Sequence, residues 1–194
     1  IAASAAKHKL LVLVCAHRMT PGAWPGDGLW YGHGVDEADV LQSWLLLAKT
    51  LCREWNIIGA DLQHEPFGAS WGSDFSSRHG GPRDWNKAAE RIGNQVLSEC
   101  ARWLIFIEGV GNAGDGLAAS ARLTSGPLMV QDSYWWGENL RGVLVAPIAL
   151  SDMTKLVYSP HIFGPGVFMQ SYFKIPSCSY SNYALGGDTG NTWS

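Results

Sequence analysis

The sequence predicts an α/β fold of about four parallel βα units, and three observations carry that reading. Four short apolar runs have the length and composition of buried strands. Amphipathic helical segments or long loops separate them. The runs start near residues 9, 56, 102 and 155, so they recur at a nearly constant spacing of about 50 residues.

Each element has its own signal. Lys9 to Ala16 (KLLVLVCA) is a continuous apolar run, expected of a strand covered on both faces. A helix is predicted from about Asp36 to Glu54, because Val40, Leu41, Trp44, Leu45, Ala48, Leu51 and Cys52 keep helical spacing and Asp36 is a suitable N-cap. Asn56 to Leu62 (NIIGADL) reads as the second strand. The next helix runs from about Asp84 to Ser98, with Trp85, Ala88, Ala89, Ile92 and Val96 on its inner face. Arg102 to Glu108 (RWLIFIE) is the third strand, a short helical piece falls around Gly137 to Arg141, and Lys155 to Pro160 (KLVYSP) is the fourth strand. Beyond about Pro176 the chain is rich in Ser, Gly, Tyr and Asn and shows no clear element. A (β/α)8 barrel and a doubly wound sheet both accept such units. A complete barrel takes about 250 residues, so 194 residues with four units would make about half of one.

Composition excludes several classes. Hydrophobic residues make up 46% of the chain and charged residues 16%, enough apolar material for a core and against disorder. The net charge is −3 with no basic stripe, which argues against a nucleic-acid partner. The longest apolar run, Leu10 to Ala16, is too short to cross a bilayer. Ten tryptophans and 23 glycines are unusual, and sugar rings suit a Trp-rich surface. The opening Ile1-Ala2-Ala3-Ser4 shows no signal-peptide pattern. Four cysteines, Cys15, Cys52, Cys100 and Cys178, allow three fully paired connectivities, and the lack of C-x-x-C disfavours a zinc knuckle or redox pair. Cys15 sits in an apolar run and is expected to be buried rather than paired. Cys52 and Cys100 each end a predicted helix just before a strand, which would place them at the same end of neighbouring helices. A disulfide there is a hypothesis that requires an oxidising compartment.

Two patterns could carry chemistry. Gly109-x-Gly111-x-x-Gly114 follows a predicted strand, with Asp132 about twenty residues on, as a dinucleotide-binding oxidoreductase would need. It follows the third strand rather than the first, and Ser125-Gly126-Pro127 interrupts the helix after it; a Gly-rich loop explains it as well. The second pattern, Gly59-Ala60-Asp61-Leu62-Gln63-His64-Glu65-Pro66, sets a carboxylate just past a buried strand that Pro66 stops. In a barrel that is the active rim, where a Glu can serve as general acid and base. Taken alone, it could equally be a surface Glu.

The run ADLQHEPFGASWG resembles the signature of glycoside hydrolase family 5, the cellulase-type retaining hydrolases. CAHR, LWYGHGVDEADVLQSW, DWNKAAERIGNQVL, LIFIEGVG, YWWGENLRG, KLVYSPHIFGPGVF and SYFKIPS resemble further family segments in order, from about residue 9 to 177. The resemblance implies a partial (β/α)8 barrel covering the third to sixth βα units, residues 1–194 forming an incomplete catalytic domain without the first two strands or the seventh. It implies retaining endo-hydrolysis of a β-1,4-glucan, no metal or cofactor, no membrane partner, and secretion. Glu65 is the implied acid/base. His161 would sit beside the nucleophile, and His17 would contact sugar or orient Glu65. His64 stands where the family has Asn, which contacts the sugar 2-OH. Trp135 and Trp136 resemble the family's loop tryptophans, of which one, Trp136 rather than Trp135, would stack on a sugar ring; packing of the core or loop is the alternative for both. Tyr31, with Trp24, Trp30 and Trp71, is a rim aromatic that could bind sugar or pack the loops. Phe163 stands where the family usually has Tyr. Glu108 would point to the cleft as a supporting carboxylate. Trp44, Trp55, Trp85 and Trp103 read as core, and His8, His33 and His79 as surface positions. The nucleophile, a Glu on the seventh strand, has no counterpart: after Glu138 the only acids are Asp152 and Asp188. Little or no hydrolysis by this chain alone is therefore expected, with a glucan-binding remnant as the alternative.

Overall fold

A computed structural model describes residues 1–22, 28–72, 79–111 and 134–167. The chain opens with a helix α1 (Ala2–Lys7), followed by β1 (Val12–Cys15), α2 (Glu37–Leu51), β2 (Ile57–Asp61), α3 (Trp85–Glu99), β3 (Leu104–Ile107) and β4 (Leu156–Tyr158). The strands form one parallel sheet in the order β1-β2-β3-β4. This is the predicted partial barrel wall, with α2 and α3 as the crossovers that join β1 to β2 and β2 to β3.

Register fixes where the strands end. Cys15 pairs with Asp61, Asp61 with Phe106, and Ile107 with Tyr158. The segments that follow, carrying His17, His64, Glu65, Glu108 and His161, therefore emerge at one end of the sheet. In a parallel barrel wall that end is built for sites.

The helices cover the sheet as their periodicity predicts. Asp36 accepts from the Asp39 backbone N–H while Asp39 accepts from that of Asp36, a reciprocal capping box that starts α2. Trp44 and Ala48 of α2 are buried, and α3 buries Trp85, Ala88, Ala89, Ile92 and Val96. Arg91 of α3 grips Glu37 of α2 with Nε on Oε1 and Nη2 on Oε2, and the Trp30 indole N–H adds a third bond. Burial alone would raise the Glu37 pKa, but the Arg91 and Trp30 bonds outweigh it and hold the carboxyl below its ordinary value.

Several expectations need correction. β1 is not covered on both faces: it forms one edge of the four-stranded sheet, and Leu13 is 38% exposed. An apolar run reports that a strand can be buried, not which neighbour buries it. Trp55 is not core; it sits in the turn before β2, past the end of α2, at 61% exposure. Trp44, Trp85 and Trp103 are core, as are Trp30 and Trp71, whose indoles donate to Glu37 and to the Ala146 carbonyl. The helical piece lies at Arg141–Leu144 and is a 3-10 turn, because residues 136–138 bend tightly at Gly137. The Ala-rich α1 has no apolar periodicity to announce it. Trp24, Gly114, Asp132, Cys178 and Asp188 lie outside the described residues.

Cys52 and Cys100 form a disulfide joining the ends of α2 and α3, and Cys15 is a free, half-buried thiol. Arg102 reinforces the junction by donating to the Cys52 and Glu54 carbonyls. The bridge closes a loop with a sequence separation of 48. In the chain-entropy account such a loop stabilises by about 4 kcal/mol. Reduction, or the Cys52→Ser/Cys100→Ser pair, is expected to lower the melting midpoint by roughly 10 °C for a chain of this size. A midpoint unchanged by reductant in calorimetry would refute that.

Candidate active site

The turn after β2 is pinned on every side. The His64 N–H donates to the Ala16 carbonyl after β1, and the Leu62 N–H to the Phe106 carbonyl of β3. The Leu62 carbonyl accepts from the Trp44 indole. Glu65 follows with φ +46, a left-handed backbone uncommon for a residue with a Cβ. Its N–H donates to Glu108 Oε2 at 2.8 Å, a bond that helps hold the strained turn. Pro66 then carries a tight turn closed by the Phe67 N–H on the Glu65 carbonyl.

Around Glu65 the structure gathers a cluster of imidazoles and carboxylates. Glu65 is 8% exposed, so its carboxylate is largely shielded from bulk solvent. His161, just past β4, sets Nδ1 3.0 Å from Glu65 Oε1 and Nε2 3.1 Å from Glu108 Oε1. His64 repeats the arrangement, with Nε2 3.6 Å from Glu65 Oε2 and Nδ1 3.4 Å from Glu108 Oε1. His17 stacks on His64, ring centroids 4.0 Å apart and planes 20° from parallel. The expectation that His17, His64, Glu65 and His161 share one site thus matches the geometry. The Gly137 carbonyl accepts from both the Gly109 and His161 N–H groups, tying the 135–138 turn to the ends of β3 and β4.

Electrostatics divide the carboxylates. Glu108 is fully buried, its backbone carbonyl accepts from the Trp85 indole, and its pKa is raised to about 9. Burial is the main cause, then the negative charge of Asp61; the Glu65 N–H bond pulls the other way. Glu108 is therefore a neutral acid near pH 7. Burial also raises Asp61, against opposing contributions from Cys15, Glu108, His161 and His17. The Cys15 thiol beside it is pushed above the ordinary thiol range, first by burial and then by Asp61, so it is no nucleophile. Burial lowers the His64 pKa and favours its neutral form; Glu65 opposes this, while His17 and His161 add to it.

The aromatic candidates separate. Trp136 is 40% exposed and stacks on Phe67, centroids 4.1 Å apart and planes 19° from parallel, giving a two-ring shelf beside Glu65. Trp135 is half-buried and meets Phe163 edge-on. Tyr31 packs edge-on against Trp30 and donates its hydroxyl to the Pro82 carbonyl, which makes it a loop strut in this structure. Asp152 caps Thr154 in an exposed turn, away from any cleft chemistry. Sequence reasoning passed over Asp61 and Phe67. Asp61 sits inside the strand and Phe67 beyond the motif's Pro66, and only the assembled sheet shows what each faces.

The Gly-rich pattern has a packing explanation. A Cβ on Gly109 would lie 2.6 Å from the Asn139 nitrogen, and one on Gly111 2.5 Å from the Phe67 carbonyl oxygen. Close backbone contact, not phosphate, accounts for both glycines, so the oxidoreductase expectation falls away.

Comparison with known proteins agrees with this fold. The family model Cellulase (glycosyl hydrolase family 5) matches residues 1–192. An endoglucanase of Paenibacillus polymyxa is 36% identical over 174 residues, 89% of this chain and 39% of that protein. The major extracellular endoglucanase of Xanthomonas campestris pv. campestris is 33% identical over 156 residues, 79% of this chain and 28% of that protein. Among solved structures, a hyperthermostable endocellulase matches with a TM-score of 0.75 at 35% identity, covering 95% of this chain and 48% of its own. A cellotetraose complex of the Pyrococcus horikoshii endocellulase matches with a TM-score of 0.73 at 34% identity, covering 90% and 46%. The chain thus spans less than half the length of these relatives.

Proposed function

The chain belongs to glycosyl hydrolase family 5, the cellulase family, and from that membership we propose that the whole protein cleaves internal bonds of a β-1,4-glucan with Glu65 as general acid and base. One observation carries the reading. Glu65 stands at a strand end in a hydrogen-bonded turn, 8% exposed, with His161 Nδ1 on its carboxylate at 3.0 Å. Its carboxyl would protonate the leaving glycosidic oxygen and later take a proton from the attacking water. His161 and His64 orient that carboxylate, and Glu108 holds the backbone beneath it. The Trp136–Phe67 shelf, with His17 nearby, would bind the glucan, and Trp135 would support the loop that carries the shelf. Tyr31 would steady the neighbouring rim.

Retention needs a second carboxylate about 5–5.5 Å from the first. Glu108, fully buried, cannot reach an anomeric carbon and does not fill that role. A binding-only reading has one observation in its favour: the exposed Trp136–Phe67 shelf can hold a glucan whether or not a bond is cut. An extracellular setting fits the Cys52–Cys100 bridge and the extracellular endoglucanase relative. Among the described residues no helix is long and apolar enough to cross a membrane.

The test is reducing-end release from carboxymethyl cellulose by the full-length protein, with cellotetraose binding followed in parallel by tryptophan fluorescence. Release supports hydrolysis. Binding without release supports the binding-only reading, and neither would overturn both.

A further inference from the structure

We propose that His64, His161 and Glu108 form a binding site for one divalent cation of the zinc class. The inference concerns metal binding alone and does not depend on whether the protein hydrolyses glucan. Each imidazole spans the same two carboxylates. Glu65 Oε1 faces Nδ1 of His161 at 3.0 Å, and Glu65 Oε2 faces Nε2 of His64 at 3.6 Å. A neutral imidazole has one N–H and one lone pair. With the N–H groups turned to Glu65, both lone pairs turn to Glu108 Oε1.

The distances suit an ion. His161 Nε2 lies 3.1 Å and His64 Nδ1 3.4 Å from Glu108 Oε1, and all three atoms lie within 4.8 Å of one another. Ligands about 2.05 Å from a tetrahedral zinc are about 3.3 Å apart. Two edges of such a polyhedron are therefore already built, with one vertex open. Glu108 Oε1 is fully buried and receives no hydrogen bond of good geometry. A buried oxygen faced by two lone pairs is a place where a cation can take over from the proton that Glu108 carries in its neutral form. Glu65 supplies the outer carboxylate that fixes ring tautomer and orientation in such sites. Two imidazoles and one carboxylate make a borderline donor set that suits zinc over magnesium or calcium.

A second grouping, Cys15, His17 and His64, also lies within 4.8 Å. The His17 and His64 rings are stacked 20° from parallel. Lone pairs lie in the ring planes, so stacked rings do not converge on one ion. The His64 and His161 rings meet at 61° and can converge.

The experiment is calorimetric titration of the full-length protein with zinc chloride, repeated with cobalt chloride to read visible d–d absorption. One saturable equivalent is expected, with tetrahedral cobalt bands. His64→Asn should weaken zinc binding at least tenfold, as should Glu108→Gln, while Cys15→Ser leaves it unchanged. Circular dichroism checks each variant, and should Glu108→Gln not fold, His64→Asn decides. Lack of saturable binding by the parent protein would overturn the proposal. So would unchanged affinity in His64→Asn, or binding lost in Cys15→Ser.

Discussion

Glu65→Gln is expected to lower kcat/KM on carboxymethyl cellulose by about 10²–10⁴-fold, the range that one positioned acid and base supplies. Gln keeps the shape of Glu and an oxygen that can accept from His161 Nδ1, now 3.0 Å from Glu65 Oε1. The Glu65 N–H bond to Glu108 belongs to the backbone and survives the change. The turn should therefore hold, and the loss should fall on proton transfer. An aryl cellobioside with a very good leaving group needs no protonation to depart. The variant should cleave that substrate's first bond nearly as fast as the parent and stall on the second step, where water must be deprotonated. An equal loss on both substrates would instead mean that Glu65 positions the turn. Unchanged activity on cellulose would remove Glu65 from the mechanism.

Much of this was legible in the sequence, and the parts that were not share a cause. The α2 start was readable because a capping box is local: Asp36 and Asp39 satisfy each other within one turn. The inner face of α3 was readable because helical spacing is local too. Glu65 and His161 were placed by linked motifs in order. The exposure of Leu13 was not readable, because it depends on the strands beside β1. Trp55 misled for a related reason: it ends up in a turn, where helical phase no longer governs burial. Glu108 was read as a supporting carboxylate, yet its neutral state depends on Asp61, 47 residues earlier in the chain and brought near by strand register. The double bridge formed by His64 was hidden as well. A departure from the family's Asn says that a contact changes, but not that the new ring spans Glu65 and Glu108.

The same non-local packing gives a sharp prediction at Gly137. Gly137→Ala is expected to destabilise the protein by about 4 kcal/mol and to lower kcat by roughly 100-fold. Gly137 has φ +78, a left-handed backbone that costs a residue with a Cβ about 1 kcal/mol. Its Cβ would also lie 2.6 Å from Glu108 Oε2 and 3.4 Å from both Glu65 Cγ and His161 Cβ. Glu108 Oε2 is the atom that accepts the Glu65 N–H. Moving it leaves a buried donor unpaired and releases a turn already held at φ +46. The Gly137 carbonyl, which accepts from Gly109 and His161, would shift with it. Gly34→Ala is the control. Gly34 has φ +83, and its added Cβ would meet nothing within 4 Å. It should show the backbone cost of about 1 kcal/mol alone, with kcat unchanged. Chemical denaturation and steady-state kinetics on both variants separate the two contributions. Equal losses in both would mean that conformation alone matters and that the Glu108–Glu65 bond does not hold the site. A stability loss at Gly137 without a fall in kcat would mean that Glu65 keeps its place by other contacts.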